Sequence, residues 1–545
     1  MNRERLYLFD TTLRDGAQTS GVDFSLADKT VVAGVLDQLG IDYIEGGYPG
    51  ANPTDTEFFA RPAPYKHARS VAFGMTKRSG RSIANDPVFQ AVLQAKADAV
   101  CLVAKTWDFH VRVALGIGNA ENLASIKESV EAIVAAGREA MIDCEHFFDG
   151  YKANPEYALS CAAAAHKAGA RWVVLCDTNG GTMPHEVSAI VTEVAKRVPG
   201  DHLGIHTHND TEQAVSNTLA AVRAGVRQIQ GTLNGLGERC GNANLTSLIP
   251  TLLLKSEFAN RFQTSVTAER LTRITHASRL LDEVLNRAPA RQAPYVGDSA
   301  FATKAGIHAS AILKDPETYE HVRPEAVGNR RRLLVSDQAG RSNILSALEE
   351  LNITVDKDDS RISDLLTEVK RRETLGYAYE GADASFELLA RRQLDGVPRF
   401  FTVNSFRVIV ERRPNERGQL VTTSEATVRV SIEGEAELLH SAAEGNGPVN
   451  ALDRALRKDL GRYQSFIKDV ELVDYKVRIL TGGTEAVTRV LIESHDKAQG
   501  TRWFTIGVSP NIVDASFEAL VDSINYKLMV SGAASPGLVT QAAGR

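Results

Sequence analysis

Two histidines, His206 and His208, have the residue type and spacing in this sequence that point most directly to chemistry. The residues before them, 202–205, resemble the end of a short strand, and side chains at positions i and i+2 of a strand point to the same face. Both imidazoles would then project together, which suits the binding of a metal ion. A hydrogen-bonded or exposed histidine pair is the alternative, because a short motif is only a hypothesis.

Polar side chains also follow the other strand-like segments of the first 250 residues. In chain order they are Asp10, Arg14, Asp15 and Gln18; Glu45; Lys105, Thr106, Trp107 and His110; Asp143, Glu145 and His146; Asp177 and Thr178; and Glu238, Arg239, Cys240 and Asn242. In a barrel of parallel strands the carboxyl ends of the strands form the rim that holds the active site. A barrel built only for stability has no reason to concentrate polar groups there.

A metal site at this rim would combine two imidazole nitrogens with oxygen ligands. We predict Asp15 as the carboxylate ligand and Asn242 as a fourth, neutral ligand. Such a mixed set suits Mn, Zn, Fe or Co better than calcium. With room for two more oxygens, a 2-oxo acid could chelate the ion through its carboxylate and ketone, and the ion would act as a Lewis acid on the ketone.

The elements that must position these residues alternate between strand and helix eight times. The strand candidates are residues 6–9, 43–44, 71–73, 99–103, 140–142, 172–175, 203–206 and 228–232. Helical spacing of apolar residues marks, among others, residues 123–136 and 184–198, the second with Pro184 near its start. Eight such units in about 250 residues predict an α/β fold of the (β/α)8 TIM-barrel type. A doubly wound open sheet is the alternative, but no Gly-x-Gly-x-x-Gly follows the first strand.

The rest of the chain changes pattern twice. We predict a barrel over residues 1–260, a helical linker region over 261–398 and an α+β domain over 399–532. A disordered tail is expected over 533–545. The third region is marked by alternating strands at 406–410, 426–430 and 475–479 and by helices at 449–461 and 515–529.

Composition excludes several classes of protein. The chain has 545 residues and a net charge of -6, which argues against a general nucleic-acid binder. No apolar run approaches the roughly 20 residues of a membrane span, and the N-terminus has no signal-peptide core. Five unclustered cysteines do not form a disulfide framework, and Cys101, Cys144 and Cys176 are expected to be buried thiols. We therefore expect a cytoplasmic protein that binds neither nucleic acid nor membrane.

Three barrel motifs resemble the 2-isopropylmalate, homocitrate and citramalate synthase family. They are residues 10–18 (DTTLRDGAQ), 206–210 (HTHND) and 235–242 (GLGERCGN). The resemblance continues through 306–308 (GIH), 315–319 (DPETY) and 445–452 (GNGPVNAL), so that it spans essentially the whole chain. It implies a metal-dependent Claisen condensation on a TIM barrel, followed by linker segments and an allosteric domain.

The resemblance also implies a role for each matching residue. The metal shell would be Asp15, His206, His208 and Asn242, holding a divalent cation such as Mn, Mg, Zn or Co. Arg14 would stabilise charge on the ketone oxygen, Glu145 and Thr178 would hold the 2-oxo acid, and Gln18 would lie beside it. His308, helped by Tyr319, would remove a methyl proton from acetyl-CoA. In this family that pair reaches into a neighbouring subunit's barrel, which implies a homodimer.

The acceptor acid follows from two further segments. Residues 46–53 (GGYPGANP) and 105–108 (KTWD) are most similar to the long-form citramalate synthases, which implies pyruvate as the acceptor. Tyr48, Trp107 and His110 are the matching candidates for substrate contacts. A 2-isopropylmalate synthase acting on 2-oxoisovalerate is the alternative.

Three other functions have less support. Homocitrate synthases typically have Glu where this chain has Asp15, and retro-aldol lyases carry Gly-Gly-Cys-Pro after strand eight. A metal hydrolase normally places its His-x-His motif on the first strand. We further expect residues 400–530 to bind isoleucine as an inhibitor, whereas leucine would indicate the 2-isopropylmalate alternative.

Overall fold

The computed structural model describes residues 3–333, 340–414, 416–432, 434–481, 486–535 and 537–539. The chain forms two compact units. The first comprises Met1–Phe301 and His321–Arg331, and the second comprises Ala302–Glu320 and Arg332–Arg545. The second unit therefore includes a short segment that interrupts the first in sequence.

A closed barrel of eight parallel strands forms the centre of the first unit. The strands are β1 (Tyr7–Asp10), β2 (Tyr43–Gly47), β3 (Arg69–Met75), β4 (Ala99–Lys105), β5 (Glu139–Glu145), β6 (Trp172–Asp177), β7 (Leu203–Thr207) and β8 (Gln228–Gly231). Strand β8 pairs in parallel with β1, with Ile229 opposite Leu8, and this pairing closes the barrel. The predicted TIM barrel is confirmed, and each predicted strand overlaps an observed one.

The barrel strands are buried on both faces, which explains their nearly continuous apolar sequences. One set of alternate residues fills the interior: Phe9, Tyr43, Val71, Ala99, Cys101, Met141, Trp172, Val174 and Cys176. The other set, including Val100 and Leu102, packs under the surrounding helices. The expected buried thiols Cys101, Cys144 and Cys176 are all buried.

Helices of the first unit surround the barrel. The longer ones are Leu26–Leu39, Pro53–Phe58, Pro87–Gln94, Asn119–Ala135, Phe147–Ala153, Pro155–Lys167, Pro184–Val194, Ala214–Ala224, Leu245–Leu254 and Ile274–Val284. Ser25 begins the first of them in a capping box with Asp28. Pro184 lies in the first turn of its helix, where its missing N–H costs nothing.

Among its described residues, the second unit contains four α-helices before its sheets. They are Gly306–Lys314, Arg341–Glu350, Arg361–Thr374 and Asp383–Leu394. The last three share an apolar cluster that includes Ile344, Leu365 and Leu389. The unit spans both sides of the predicted boundary at residue 398, and the domain limits taken from sequence stay predictions.

Two three-stranded antiparallel sheets follow. The first sheet contains β9 (Phe401–Pro414), β10 (Leu420–Ile432) and β11 (Leu438–Gly445); the second contains β12 (Val470–Ile479), β13 (Thr488–Asp496) and β14 (Thr501–Ser509). Helices Pro448–Lys458 and Ile512–Val530 bury Leu456 and Leu520 in one core with sheet residues. The predicted α+β class is confirmed, although the sequence patterns did not indicate β11, β13 or β14.

Short strand pairs complete the described structure. Glu4–Arg5 pairs with Phe262–Gln263, and Ala302–Thr303 pairs with Arg332–Leu333. Within the tail predicted to be disordered, Gly537–Val539 instead pairs with Val397–Arg399, while residues 536 and 540–545 lie outside the described residues. No helix in the described part of the chain is long and apolar enough to cross a membrane.

Candidate active site

Asp15, His206 and His208 meet at the carboxyl-terminal rim of the barrel. Their exposed fractions are 3%, 5% and 6%, and one ligand atom of each lies within 4.8 Å of the others. The Nε2 atom of His206 lies 3.2 Å from Oδ2 of Asp15 and 3.3 Å from Nε2 of His208. The structure therefore brings Asp15 together with two histidines that follow it by nearly 200 positions in sequence.

Gln230 fixes the orientation of the His206 ring. Its Nε2 donates to Oδ1 of Asp143 at 3.1 Å, and its Oε1 accepts from Nδ1 of His206 at 2.9 Å. A proton on Nδ1 leaves Nε2 of His206 to face the Asp15 carboxylate, where it either carries a second proton and donates to Asp15 or is free to bind a cation. An imidazole nitrogen and a carboxylate oxygen that face one another fit a divalent metal ion.

Asn242 lies beside the same cluster. It forms an isolated strand bridge with His208, and its Nδ2 donates to Oδ2 of Asp15 at 2.9 Å. Its Oδ1 is buried and has no hydrogen-bond partner within the described residues. A buried amide oxygen left unpaired costs about 1–3 kcal/mol, which makes Asn242 a suitable fourth ligand.

The charges around the cluster favour the ligand forms of its side chains. Burial raises the pKa of Asp15, but the charge of Arg14 and the hydrogen bond from His206 outweigh it and hold the pKa well below its usual range. Burial and the neighbouring His206 lower the pKa of His208 to about 3. A carboxylate and a neutral imidazole are the forms that bind metal ions.

The pKa of His206 is shifted in the opposite direction to that of His208. Burial alone would lower its pKa, but the hydrogen bond and the charge of Asp15 raise it overall. The space between Asp15 and His206 therefore favours a positive charge, which agrees with the binding of a cation there.

Arg14 places a fixed positive charge next to the cluster. Its Nε donates to Oε2 of Glu45 at 2.7 Å, and its guanidinium lies 4.0 Å from the centre of the Phe73 ring. The Nη1 atom is 3.7 Å from Oδ1 of Asp15. Glu45 is thus the close ion-pair partner of Arg14, whereas the nearby Asp10 accepts from Thr12.

A buried lysine holds the loops that carry these groups. The Nζ of Lys29 donates to the carbonyls of Leu13 at 2.9 Å and Gly46 at 2.8 Å, and it pairs with Asp55 at 2.5 Å. One ammonium group therefore joins the loop after β1 to the end of β2 and to the helix Pro53–Phe58 that follows it. Its role is missing from the sequence prediction.

Glu145 and Thr178 are the residues predicted to hold a 2-oxo acid; Glu145 ends β5 and Thr178 directly follows β6. Glu145 pairs with Lys105 at the end of β4, a partner that the sequence did not identify. The hydroxyl of Thr178 accepts a hydrogen bond of 2.8 Å from the backbone N–H of His146. His146 adopts a left-handed conformation with φ of 52° at this turn.

Trp107 and His110 form an aromatic group on the loop after β4. Their rings stack with centroids 4.8 Å apart, and His110 contacts the edge of His146 at 4.4 Å. Burial and His146 lower the pKa of His110, so its ring favours the neutral form. The structure thus places both predicted residues on the same side of the rim as Glu145.

Gln18 and Tyr48 are not among the hydrogen-bond partners described for the Asp15–His206–His208 cluster. Gln18 is exposed at the end of the short turn Gly16–Gln18. Tyr48 packs edge-on against Phe73 with ring centroids 5.6 Å apart, and Phe73 also contacts Arg14. The contact of either residue with substrate stays a prediction.

His308 and Tyr319 belong to the second unit, where they contact each other. Their ring centroids are 4.3 Å apart with an interplanar angle of 33°. His308 is exposed on helix Gly306–Lys314, and Tyr319 is 52% exposed. The two residues thus form an accessible pair, and the catalytic role that the resemblance implies for them stays a prediction.

Asp177 and Gln230 have different roles near the cluster. Asp177 accepts from Thr182 at 2.8 Å and from Asn217 at 3.2 Å, and it therefore stabilises the following loop. The residue that orients His206 is Gln230. Its signal in the sequence is two glutamines, Gln228 and Gln230, at alternate positions of a fully buried strand.

Comparison with known proteins agrees with this geometry. The HMGL-like family model matches residues 5–278, the homocitrate synthase post-HMGL domain-like model matches 295–374, and the LeuA allosteric (dimerisation) domain model matches 380–528. The (R)-citramalate synthase of Aquifex aeolicus is 49% identical, covering 96% of this chain and 98% of that protein.

Two further relatives show that the chain is more similar to a citramalate synthase than to a 2-isopropylmalate synthase. The (R)-citramalate synthase of Geobacter sulfurreducens is 50% identical over 96% of this chain and 97% of that protein. The 2-isopropylmalate synthase of Pelotomaculum thermopropionicum is 28% identical over 96% of this chain and 98% of that protein. The chain therefore belongs to the HMGL-like family, on the branch of the proteins named (R)-citramalate synthase.

Proposed function

We propose that this chain condenses acetyl-CoA with pyruvate and hydrolyses the thioester, releasing (R)-citramalate and CoA for isoleucine biosynthesis. The observation that carries the proposal is the buried cluster of Asp15, His206 and His208 beside Arg14. Sequence identity of 47–50% over 96% of the chain to three proteins named (R)-citramalate synthase supports pyruvate over 2-oxoisovalerate.

Four residues would hold the divalent cation, which is Mn, Mg, Zn or Co: Asp15, His206, His208 and Asn242. When bound, the ion supplies Lewis-acid polarisation of the pyruvate ketone. Arg14 stabilises the negative charge that develops on the ketone oxygen, since its guanidinium is fixed by Glu45 next to the cluster.

Acid–base chemistry would come from the second unit. His308 accepts a methyl proton from acetyl-CoA, and Tyr319 orients its ring through their contact. The resulting enolate attacks C2 of pyruvate, which Glu145 and Thr178 hold with help from Gln18, Trp107 and His110. Water then cleaves the thioester.

The same proposal includes a homodimer. The match to a LeuA dimerisation domain supports it, as does the accessibility of His308 and Tyr319, which a second copy could then receive at its barrel.

A CoA-release assay with acetyl-CoA and a panel of 2-oxo acids tests the activity. We expect the largest kcat/KM with pyruvate, loss of activity with a chelator and recovery with Mn²⁺ or Mg²⁺. A larger kcat/KM with 2-oxoisovalerate would assign the chain to the 2-isopropylmalate alternative. Absence of CoA release with every acid and metal would exclude a synthase.

We also propose isoleucine as an inhibitor that binds to the sheets of the second unit. The match of residues 380–528 to an allosteric domain supports regulation there. Isoleucine should lower the rate of the full chain, and leucine at equal concentration should not. Inhibition by leucine alone would contradict this effector and favour the alternative acceptor.

A further inference from the structure

His146 and Asp149 form a hydrogen-bonded pair after β5, at the rim of the barrel. The Nδ1 atom of His146 lies 3.0 Å from Oδ2 of Asp149, and Asn179 donates to the same oxygen at 3.0 Å. Burial raises the pKa of Asp149, but the hydrogen bonds from His146 and Asn179 outweigh it, and the pKa is lowered overall. A charged carboxylate can only accept, so Nδ1 carries the proton and Nε2 is the basic nitrogen of the ring.

The Nε2 atom of His146 is free to exchange a proton. It makes no hydrogen bond within the part of the chain that the structure describes, and the side chain is 13% exposed. The ring lies against Trp107 with centroids 6.0 Å apart and against His110 at 4.4 Å. An aromatic face at about 6 Å and a neighbouring carboxylate both stabilise a positive imidazolium. These surroundings suit a base that gains a proton and then returns it.

The backbone of His146 is strained. Its φ of 52° is left-handed, which costs a residue with a side chain about 1–3 kcal/mol and is found most often at functional sites. Phe147 and Phe148 follow at once and are fully buried, so they fix the turn. Glycine or asparagine would adopt this conformation with less strain. The chain instead places an imidazole there.

The His146–Asp149 pair lies next to two residues proposed to hold pyruvate. Glu145 precedes His146 in the chain, and the hydroxyl of Thr178 accepts from the backbone N–H of His146 at 2.8 Å. Asn179, which holds Asp149, directly follows Thr178. After condensation the thioester carbonyl is two bonds from C2 of the former pyruvate. A base beside these residues is therefore close to the carbonyl that water must attack.

We infer that His146 is the general base for hydrolysis of citramalyl-CoA, the thioester formed by condensation, and that Asp149 is its positioning residue. Nε2 takes a proton from water while the water oxygen attacks the thioester carbonyl. The C–S bond then breaks and the imidazolium gives the proton to the CoA thiolate, so that thioester and water become acid and thiol. The inference rests on the proposed function, in which His308 serves the earlier abstraction of a methyl proton.

Separate assays of hydrolysis and condensation test the inference in the full chain with Mn²⁺. His146→Asn keeps the turn, because asparagine tolerates a left-handed backbone, and its amide can still donate toward Asp149. Hydrolysis of supplied citramalyl-CoA should fall by about 10²–10⁴-fold, while the first condensation, measured by rapid quench, should stay within about twofold of wild type. Citramalyl-CoA should then accumulate on the variant, as detected by mass spectrometry.

Three further variants complete the experiment. His185→Asn is the matched control, since His185 is exposed on the helix after β6, and should change neither rate. Asp149→Asn should slow hydrolysis by about tenfold or more and leave condensation unchanged, because the imidazole remains but loses its charged partner. If His146→Asn does not fold, His146→Gly relieves the strain, and added imidazole should restore part of its lost hydrolysis.

Unchanged hydrolysis of citramalyl-CoA by His146→Asn would overturn the inference. An equal loss of condensation and hydrolysis would overturn it as well, since that indicates a structural role. Both outcomes leave the proposed function in place, because the wild type still forms citramalate. Absence of CoA release by the wild type with every 2-oxo acid would instead refute the proposed function, and with it the step assigned to His146.

Discussion

The Asp15–His206–His208 cluster and the His308–Tyr319 pair are held in very different ways. Every member of the cluster is at most 6% exposed, and Gln230 and Asn242 fix it by hydrogen bonds. The pair is exposed on a nine-residue helix and the turn that follows it. Metal ligands require fixed geometry, whereas a base has to reach its proton only in the productive complex. The difference suggests that the metal site is preorganised, whereas the groups for proton transfer come into position only in the productive complex.

Removing a ligand should have the largest effect. His206→Ala takes away a central nitrogen of the cluster, so we expect activity at the uncatalysed background and loss of the bound metal. Metal analysis of the purified protein and the CoA-release assay would measure both. A variant that keeps its metal and its activity would show that the cluster is only structural.

Removing the proposed base should lower the rate of proton transfer without changing the metal site. His308→Ala should lower kcat by about 10²–10⁴-fold, the usual contribution of general acid–base catalysis. Metal content should stay that of the wild type, because the residue lies in the other unit. Loss of metal in this variant would mean that its role was misassigned.

The support of the cluster can be weakened without touching a ligand. Gln230→Leu removes the acceptor for Nδ1 of His206 and should lower metal affinity by about 10- to 100-fold. Gln228→Leu is the matched control, since this glutamine lies on the same strand and contacts Met141 instead. Similar metal affinities in the two variants would refute the orienting role of Gln230.

The smallest effect is expected within the exposed pair. Tyr319→Phe keeps the ring against His308 but removes the hydroxyl, which should reduce kcat by about 2- to 10-fold, the equivalent of one hydrogen bond. Tyr319→Ala should cost more because the ring contact is lost as well. Equal rates for the two variants would show that only the hydroxyl acts.

The sequence predicted the barrel because its strands are buried on both faces and stand out as apolar runs. It also predicted the rim, since polar residues such as Asp15 and Glu145 follow those runs directly. The strand Leu438–Gly445 was missed because it contains no β-branched residue and little alternation. Such a segment becomes a strand because it pairs with a neighbouring strand, here Leu420–Ile432, and not because of its own sequence.

The partners of the rim residues could not be predicted for a different reason. Lys105 lies opposite Glu145 in the register of β4 and β5, and Gln230 meets His206 across β7 and β8. Register between strands is set by the closure of the whole barrel, which local patterns do not contain. Residue types therefore indicated the ligands but not what orients them.

Lys29 has a practical consequence for attempts to change the acceptor of this barrel. Because one ammonium group joins the carbonyls of Leu13 and Gly46, grafting either loop alone from a relative would break a network shared with the other. Replacement of Lys29 would also leave the buried Asp55 carboxylate without the cation that pairs with it. Libraries for altered specificity should therefore vary side chains after β4 to β6, and exchange the first two loops only as a unit with their lysine.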